Sequence, residues 1–264
     1  MQRKRKVRKI VRFAFFIVLV FSLIYFGEDY VGYYKVKKEN NNIKEEVVKE
    51  SKGKKEGFTI DWDKLHSINP DIVAWIRIPN TKVSYPVVQT KDNSEYLTKS
   101  VKGSYSIYGA IFLDERLYGT KLGENPNNII YGHNMGRWTD VMFSSLRYYL
   151  QSDYLKGHDK VILYTPEKNY KYRVSSVEYA DASSSVYYID FKQVYYSKWV
   201  NKQISKSIYK CLDIDYVNSY LNHFKENGKL DKKVHKYGNV LSLSTCDTTH
   251  DDRKKIVLFC IPET

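Results

Sequence analysis

Near the C-terminus, Leu243-Ser244-Thr245-Cys246 closes an apolar-alternating run from Gly238 to Thr245 that reads as a β-strand. The chain turns polar from Asp247 to Asp252 and re-enters a strand pattern from Lys255 to Ile261. Cys246 is thereby predicted at the lip of a strand, with Arg253 where the next one begins. Far upstream, Asn128-Ile129-Ile130-Tyr131-Gly132-His133 has the same form, an apolar strand ending on a His. A thiolate is the best nucleophile a side chain offers near neutral pH. An imidazole protonates a leaving amine and deprotonates an incoming one. A guanidinium fork stabilises an oxyanion. Cys246 as nucleophile, His133 as general acid and base, and Arg253 as the cation would together form a thiol acyl-transfer site.

These three positions need a sheet to bring them together. Strand patterns run over Ile72–Ile78, Val83–Val88, Ile107–Leu113, Asn127–Gly132, Lys160–Thr165, Tyr170–Ala180, Gly238–Thr245 and Lys255–Ile261. Pro166-Glu167-Lys168-Asn169 suits a hairpin turn. A short helix is expected over Asp61–Asn69, ended by Pro70. Met142, Phe143, Leu146, Tyr149 and Leu150 recur at helical spacing. A long helical insert is expected after Asp190: Tyr196, Val200, Ile204 and Ile208 form one row, and Asp213 opens a second helix that stops at Gly228. Eight strands with little βαβ alternation predict a mainly antiparallel barrel with added helices.

The 264 residues suffice for one sizeable core plus a tail. The net charge is +13, but residues 1–12 alone carry seven Lys/Arg and no acid. The excess is therefore concentrated at one end. No basic stripe with interleaved aromatics accompanies it, so a nucleic-acid partner is not expected. Phe13 to Phe26 is apolar except for Ser22 and Tyr25, at the short limit for a membrane span. A cleaved signal peptide is the competing reading, but no small-x-small site follows. The organisation expected is a cytoplasmic basic segment (1–12), a transmembrane anchor (13–29), a solvated extracellular stalk (30–57) and a catalytic domain (58–264), oriented by the N-terminal charge.

Three cysteines, with no CxxC, do not suggest a disulfide framework. Cys260 sits inside a strand pattern and Cys211 ends a helical one; both read as small core residues, though a bridge between them stays open. Cys246 and His250 have passable metal spacing, yet no second pair stands near them, and no metal is expected. His66, His158, His223, His235 and His250 are expected at the surface.

"NIIYGHNM" (Asn128 to Met135) and "LSTC" (Leu243 to Cys246), with a following Arg, resemble the sortases of Gram-positive bacteria. "NPDIVAWIRIP" (Asn69 to Pro79), "YPVVQTKDNSEYL" (Tyr85 to Leu97), "GAIFLD" (Gly109 to Asp114) and "MFSSLRYY" (Met142 to Tyr149) are similar to class B in particular, over roughly residues 60–262. The resemblance implies a mainly β fold: an eight-stranded barrel with an N-terminal helix and a long helical insert before the Cys-bearing strand. It implies cleavage of an NPxT-like sorting signal after Thr, through a thioacyl enzyme on Cys246. The protein is then transferred to a cell-wall peptide amine or, in a variant, to a pilin Lys. It implies no cofactor. Ser242 stands where the family usually has Thr, and only six residues separate Cys246 from Arg253. Aligned on the apolar run of the last strand, Lys255 takes the place of the Arg. Arg253 and Lys255 share strand parity, so the pattern leaves both open, with the Arg fork favoured on its donor chemistry.

Overall fold

The computed structural model describes residues 2–51, 57–136, 139–151, 153–180, 187, 239–246 and 255–263. Helix α1 (Gln2–Val47) leads into a two-stranded antiparallel hairpin of β1 (Val48–Ser51) and β2 (Gly57–Ile60). Helix α2 (Trp62–Ile68) follows, its first turn capped by the Asp61 carboxylate, which accepts from Lys64 N. Eight further strands are β3 (Ile72–Arg77), β4 (Ser84–Val88), β5 (Ile111–Leu113), β6 (Asn127–Gly132), β7 (Lys160–Tyr164), β8 (Asn169–Ala180), β9 (Val240–Cys246) and β10 (Lys255–Pro262).

These eight close into a barrel in the order β10-β8-β7-β3-β4-β5-β6-β9. All eight expected strands are present. The pairing is mostly antiparallel, but β4–β5 and β6–β9 are parallel. The β7–β8 hairpin turns where expected, with Thr165 N donating to Lys168 O at 3.0 Å. Alternate residues fill the barrel interior, among them Ala74, Ile76, Val87, Ile130, Val161, Leu163, Leu241, Leu243, Ile256 and Leu258. Cys260 is fully buried in that core, as expected. Cys211, the insert helices, Arg253 and Asp247 lie outside the described residues.

Residues 36–47 differ from the expected solvated stalk. Val36, Asn40, Ile43 and Val47 recur at helical spacing and are all buried. Ile43 and Val47 join Leu65, Ile72, Trp75 and Tyr164 in a second cluster on the outer side of the barrel. The apolar stripe is one residue wide among Lys, Glu and Asn, so composition hides it. Among the described residues no helix is long and apolar enough to cross a membrane. The helical spacing at 142–150 is realised as a 3₁₀ helix, Ser144–Leu150, with Leu146 and Tyr149 buried. The expected strand over 107–113 shortens to Ile111–Leu113, because Gly109 has φ +57° and breaks the extended run.

Candidate active site

The site begins with a strand register. β6 and β9 pair in parallel from Asn127↔Val240 to Gly132↔Thr245. His133 and Cys246 are the next residue on each strand, so two residues 113 positions apart in sequence end adjacent strands at one barrel rim. Buried polar contacts fix this register. Ser242 Oγ donates to Asn127 Oδ1 at 2.8 Å. Asn128 Nδ2 donates to Val240 O at 3.1 Å, while its Oδ1 accepts from Gly123 N at 2.9 Å. A one-residue slip would leave these buried groups unsatisfied.

His133 is held from three sides. Its Nε2 lies 2.9 Å from Leu97 O, a geometry in which the ring nitrogen donates. Its carbonyl accepts from Phe143 N at 3.1 Å. Gly109 sits against the ring: a Cβ there would lie 3.0 Å from His133 Cδ2 and 2.5 Å from Tyr96 O. Gly132 makes a similar allowance on the inner face, where a Cβ would meet Ile111 and Phe143. The His therefore rests on backbone that only glycine lets so close.

On β10, Lys255 is the antiparallel partner of Cys246. A cavity of about 260 Å³ opens here, lined by His133, Leu97, Tyr131, Ser244, Thr245 and Lys255 among others. A larger cavity, about 1130 Å³, lies between α1 and residues 100–108, and none of the residues expected to do chemistry lines it.

A polar network stiffens the wall of the smaller cavity. Asp114 is fully buried. Arg116 grips it two-fold, Nε to Oδ1 at 2.9 Å and Nη2 to Oδ2 at 2.7 Å. Tyr131 Oη donates to Asp114 Oδ2 at 2.8 Å. Arg116 Nη2 also reaches Tyr187 O at 3.0 Å, and Tyr187 Oη lies 2.9 Å from Ser244 Oγ. Burial works to raise the Asp114 carboxyl, but the hydrogen bonds and charge of Arg116 with the Tyr131 bond outweigh it, leaving Asp114 below its ordinary range. Burial, then the Asp114 charge, hold the Tyr131 phenol well above its ordinary value. Sequence reasoning missed this network. Its local signal was the D-x-R spacing of Asp114 and Arg116 at a strand end, where an Asp both caps the turn and pairs two residues on.

The structure brings together His133, the Cys246 strand end and Lys255. Arg253 is not among the described residues. Among the described residues no group of His, Cys, Asp and Glu could hold a metal ion. Two expected surface histidines are half-buried instead: His66 Nε2 lies 3.0 Å from Ile72 O, and His158 stacks on Tyr154 at 4.2 Å.

The site is thus a closed eight-stranded barrel with a Cys and a His at the ends of neighbouring parallel strands. The comparisons agree. The sortase domain matches residues 76–263, and the chain belongs to the sortase family. Sortase B of Listeria monocytogenes is 31% identical over 193 residues, covering 72% of this chain and 68% of that one. A Bacillus anthracis sortase B crystal structure superposes with a TM-score of 0.62 at 26% identity, covering 88% of this chain and 98% of that one. The Staphylococcus aureus sortase B–substrate complex gives 0.55 at 27%, covering 76% and 84%. The relatives place the chain with the B type, the cysteine transpeptidases.

Proposed function

We propose that the protein cleaves an NPxT-like sorting signal after Thr and transfers the new carboxyl end to an amine of cell-wall peptide. The Cys246 thiolate attacks the Thr carbonyl carbon, and the carbonyl oxygen takes up negative charge. The C–N bond then breaks; the amine leaves with a proton from His133, and a thioester remains. The incoming amine attacks the thioester and gives a proton to His133. The C–S bond breaks and the thiolate is restored. Arg253 enters this scheme as the cation facing the oxyanion or orienting the substrate. The carrying observation is the parallel register that sets His133 and Cys246 one step beyond Gly132↔Thr245. The experiment is mass spectrometry after incubation with a sorting-signal peptide. Acylation is expected on Cys246, with transfer when a wall-peptide amine is added. Acylation elsewhere, or none, overturns the reading.

The substrate assignment draws on the likeness to the S. aureus protein, whose complex with substrate is known. A pilin Lys is the alternative acceptor. Incubation of the thioacyl enzyme with a wall-peptide amine or with pilin separates the two. The same reading places the enzyme at the cell surface, its N-terminus cytoplasmic, with residues 13–29 as a single-pass anchor. Support comes from α1, where Phe13, Phe15, Phe16 and Val18 expose more than half of their surface directly after a basic segment. Fractionation of cells making the full chain and a version lacking residues 1–29 tests this. The full chain is expected with the membrane and the shortened one in the soluble fraction; a soluble full chain excludes the anchor.

A further inference from the structure

We propose that Tyr33 of α1 is a positioning residue for His133, acting through Asp140 and the backbone that follows it. This rests on the acyl-transfer reading above. His133 is held by two pieces of backbone outside its own strand: Phe143 N donates to its carbonyl at 3.1 Å, and Gly109 lies against its ring. Both pieces reach α1. Tyr108, next to Gly109, packs on Gly32, where a Cβ would stand 3.1 Å from Tyr108 Cε2. Asp140, three residues before Phe143, accepts from Tyr33 Oη at 3.3 Å. Lys37, one turn further along α1, donates from Nζ to Tyr33 Oη at 2.9 Å. The bond from Tyr33 to Asp140 spans 107 positions, so only the fold makes it.

Met142 shows why this link matters. It lies between Asp140 and Phe143, is buried, and has φ +51°. A long side chain takes that left-handed conformation only where its surroundings hold it there. Three holds are present. Tyr85 Oη accepts from Met142 N at 3.1 Å, Thr139 Oγ1 accepts from Val141 N at 3.2 Å, and Tyr33 holds the Asp140 carboxylate. The positive Lys37 polarises the Tyr33 hydroxyl and strengthens its donation. Releasing Asp140 removes one hold from a strained turn whose next N–H carries the His133 carbonyl. The imidazole then loses its aim while the strand that carries it stays paired. The loss falls on proton transfer because, among the described residues, neither Tyr33 nor Asp140 lines the cavity beside His133.

The test is steady-state transfer of a sorting-signal peptide to an amine by the full chain, with Tyr33→Phe, Asp140→Ala, Asp140→Asn and the pair Tyr33→Phe with Asp140→Ala. Each is measured for kcat, KM, the pH profile of kcat/KM and melting temperature. Tyr33→Phe and Asp140→Ala are each expected to lower kcat by about 10–10²-fold with KM unchanged, the scale of a misplaced catalytic group. The pair is expected to fall no further than either single change, because both cut one link. Asp140→Asn is expected to keep most of the turnover, since its amide oxygen still accepts from Tyr33. In Tyr33→Phe the limb of the pH profile set by His133 is expected to shift, because the ring's hydrogen bond to Leu97 O changes with its position. Wild-type kcat in Tyr33→Phe overturns the inference and leaves the transpeptidase reading intact. So does a loss that tracks melting temperature with the pH profile unmoved, which marks Tyr33 as a support of the fold alone. A wild-type chain that forms no thioester on Cys246 overturns the reading beneath it.

Discussion

His133 and Cys246 stand one step beyond the same rung, Gly132↔Thr245, on two parallel strands. Parallel neighbours lie about 4.8 Å apart, so the two backbones part company only where the ladder ends. Such closeness sets both residues at one rim of the barrel. Cys246→Ala is expected to abolish both cleavage and transfer. His133→Gln is expected to lower turnover by about 10²–10⁴-fold, the usual worth of general acid–base catalysis. Peptide turnover followed by chromatography reads both. Cys246→Ala turning over as wild type does would exclude the nucleophile.

Gly109 is the support beneath the imidazole. Its φ is +57°, and an added Cβ would fall 2.5 Å from Tyr96 O and 2.8 Å from Leu97 O. Both are backbone atoms, which give way at greater cost than a side-chain tip. Gly109→Ala is therefore expected to destabilise by more than about 1 kcal/mol. It should also weaken the Leu97–His133 contact, so turnover falls further than stability alone explains. Thermal melting and turnover on the same sample measure the two effects. An unchanged melt would show that the loop has room to move.

The buried Asp114 carboxylate, paired with the exposed Arg116, sets a pH dependence. The folded Asp114 carboxyl is depressed below its unfolded value, about 3.9. Its contribution to stability is complete above that value and is lost as pH falls through the folded pKa. Asp114→Asn is expected to melt lower than wild type at neutral pH. The gap should narrow only in acid, below the ordinary Asp range. Melting curves across that range check the sign: a gap that widens in acid would mean a raised carboxyl.

Helix α1 contributes to the folded domain through its C-terminal half. Ile43 is fully buried against Leu65 and Trp75. Ile43→Ala is expected to cost about 2–5 kcal/mol. A chain starting near residue 30 should keep the stability of the domain, and one starting at residue 58 should lose much of it. Denaturant unfolding of the two truncations decides the matter; equal midpoints would return residues 30–57 to the role of a spacer.

Much of this was legible in advance, for identifiable reasons. Strands such as Asn127–Gly132 and Lys160–Tyr164 announce themselves because a barrel wall alternates between core and exterior. The strand-end positions of His133 and Cys246 were legible because an apolar run stops at each of them. Three things were not. The Val36–Val47 stripe is too narrow for composition to reveal, since a single buried row suffices where only one face docks. The parallel β6–β9 contact joins segments more than a hundred residues apart, and no local pattern encodes such a partner. The same is true of Tyr187, which meets Ser244 only through the fold.

The strand that carries Cys246 is also one of the two that seal the cylinder. β6 waits at an open seam until β9 and β10 are laid beside it and against β8. His133 is thus made 113 residues before Cys246. The rim that carries both residues exists only once the last two strands are in the wall.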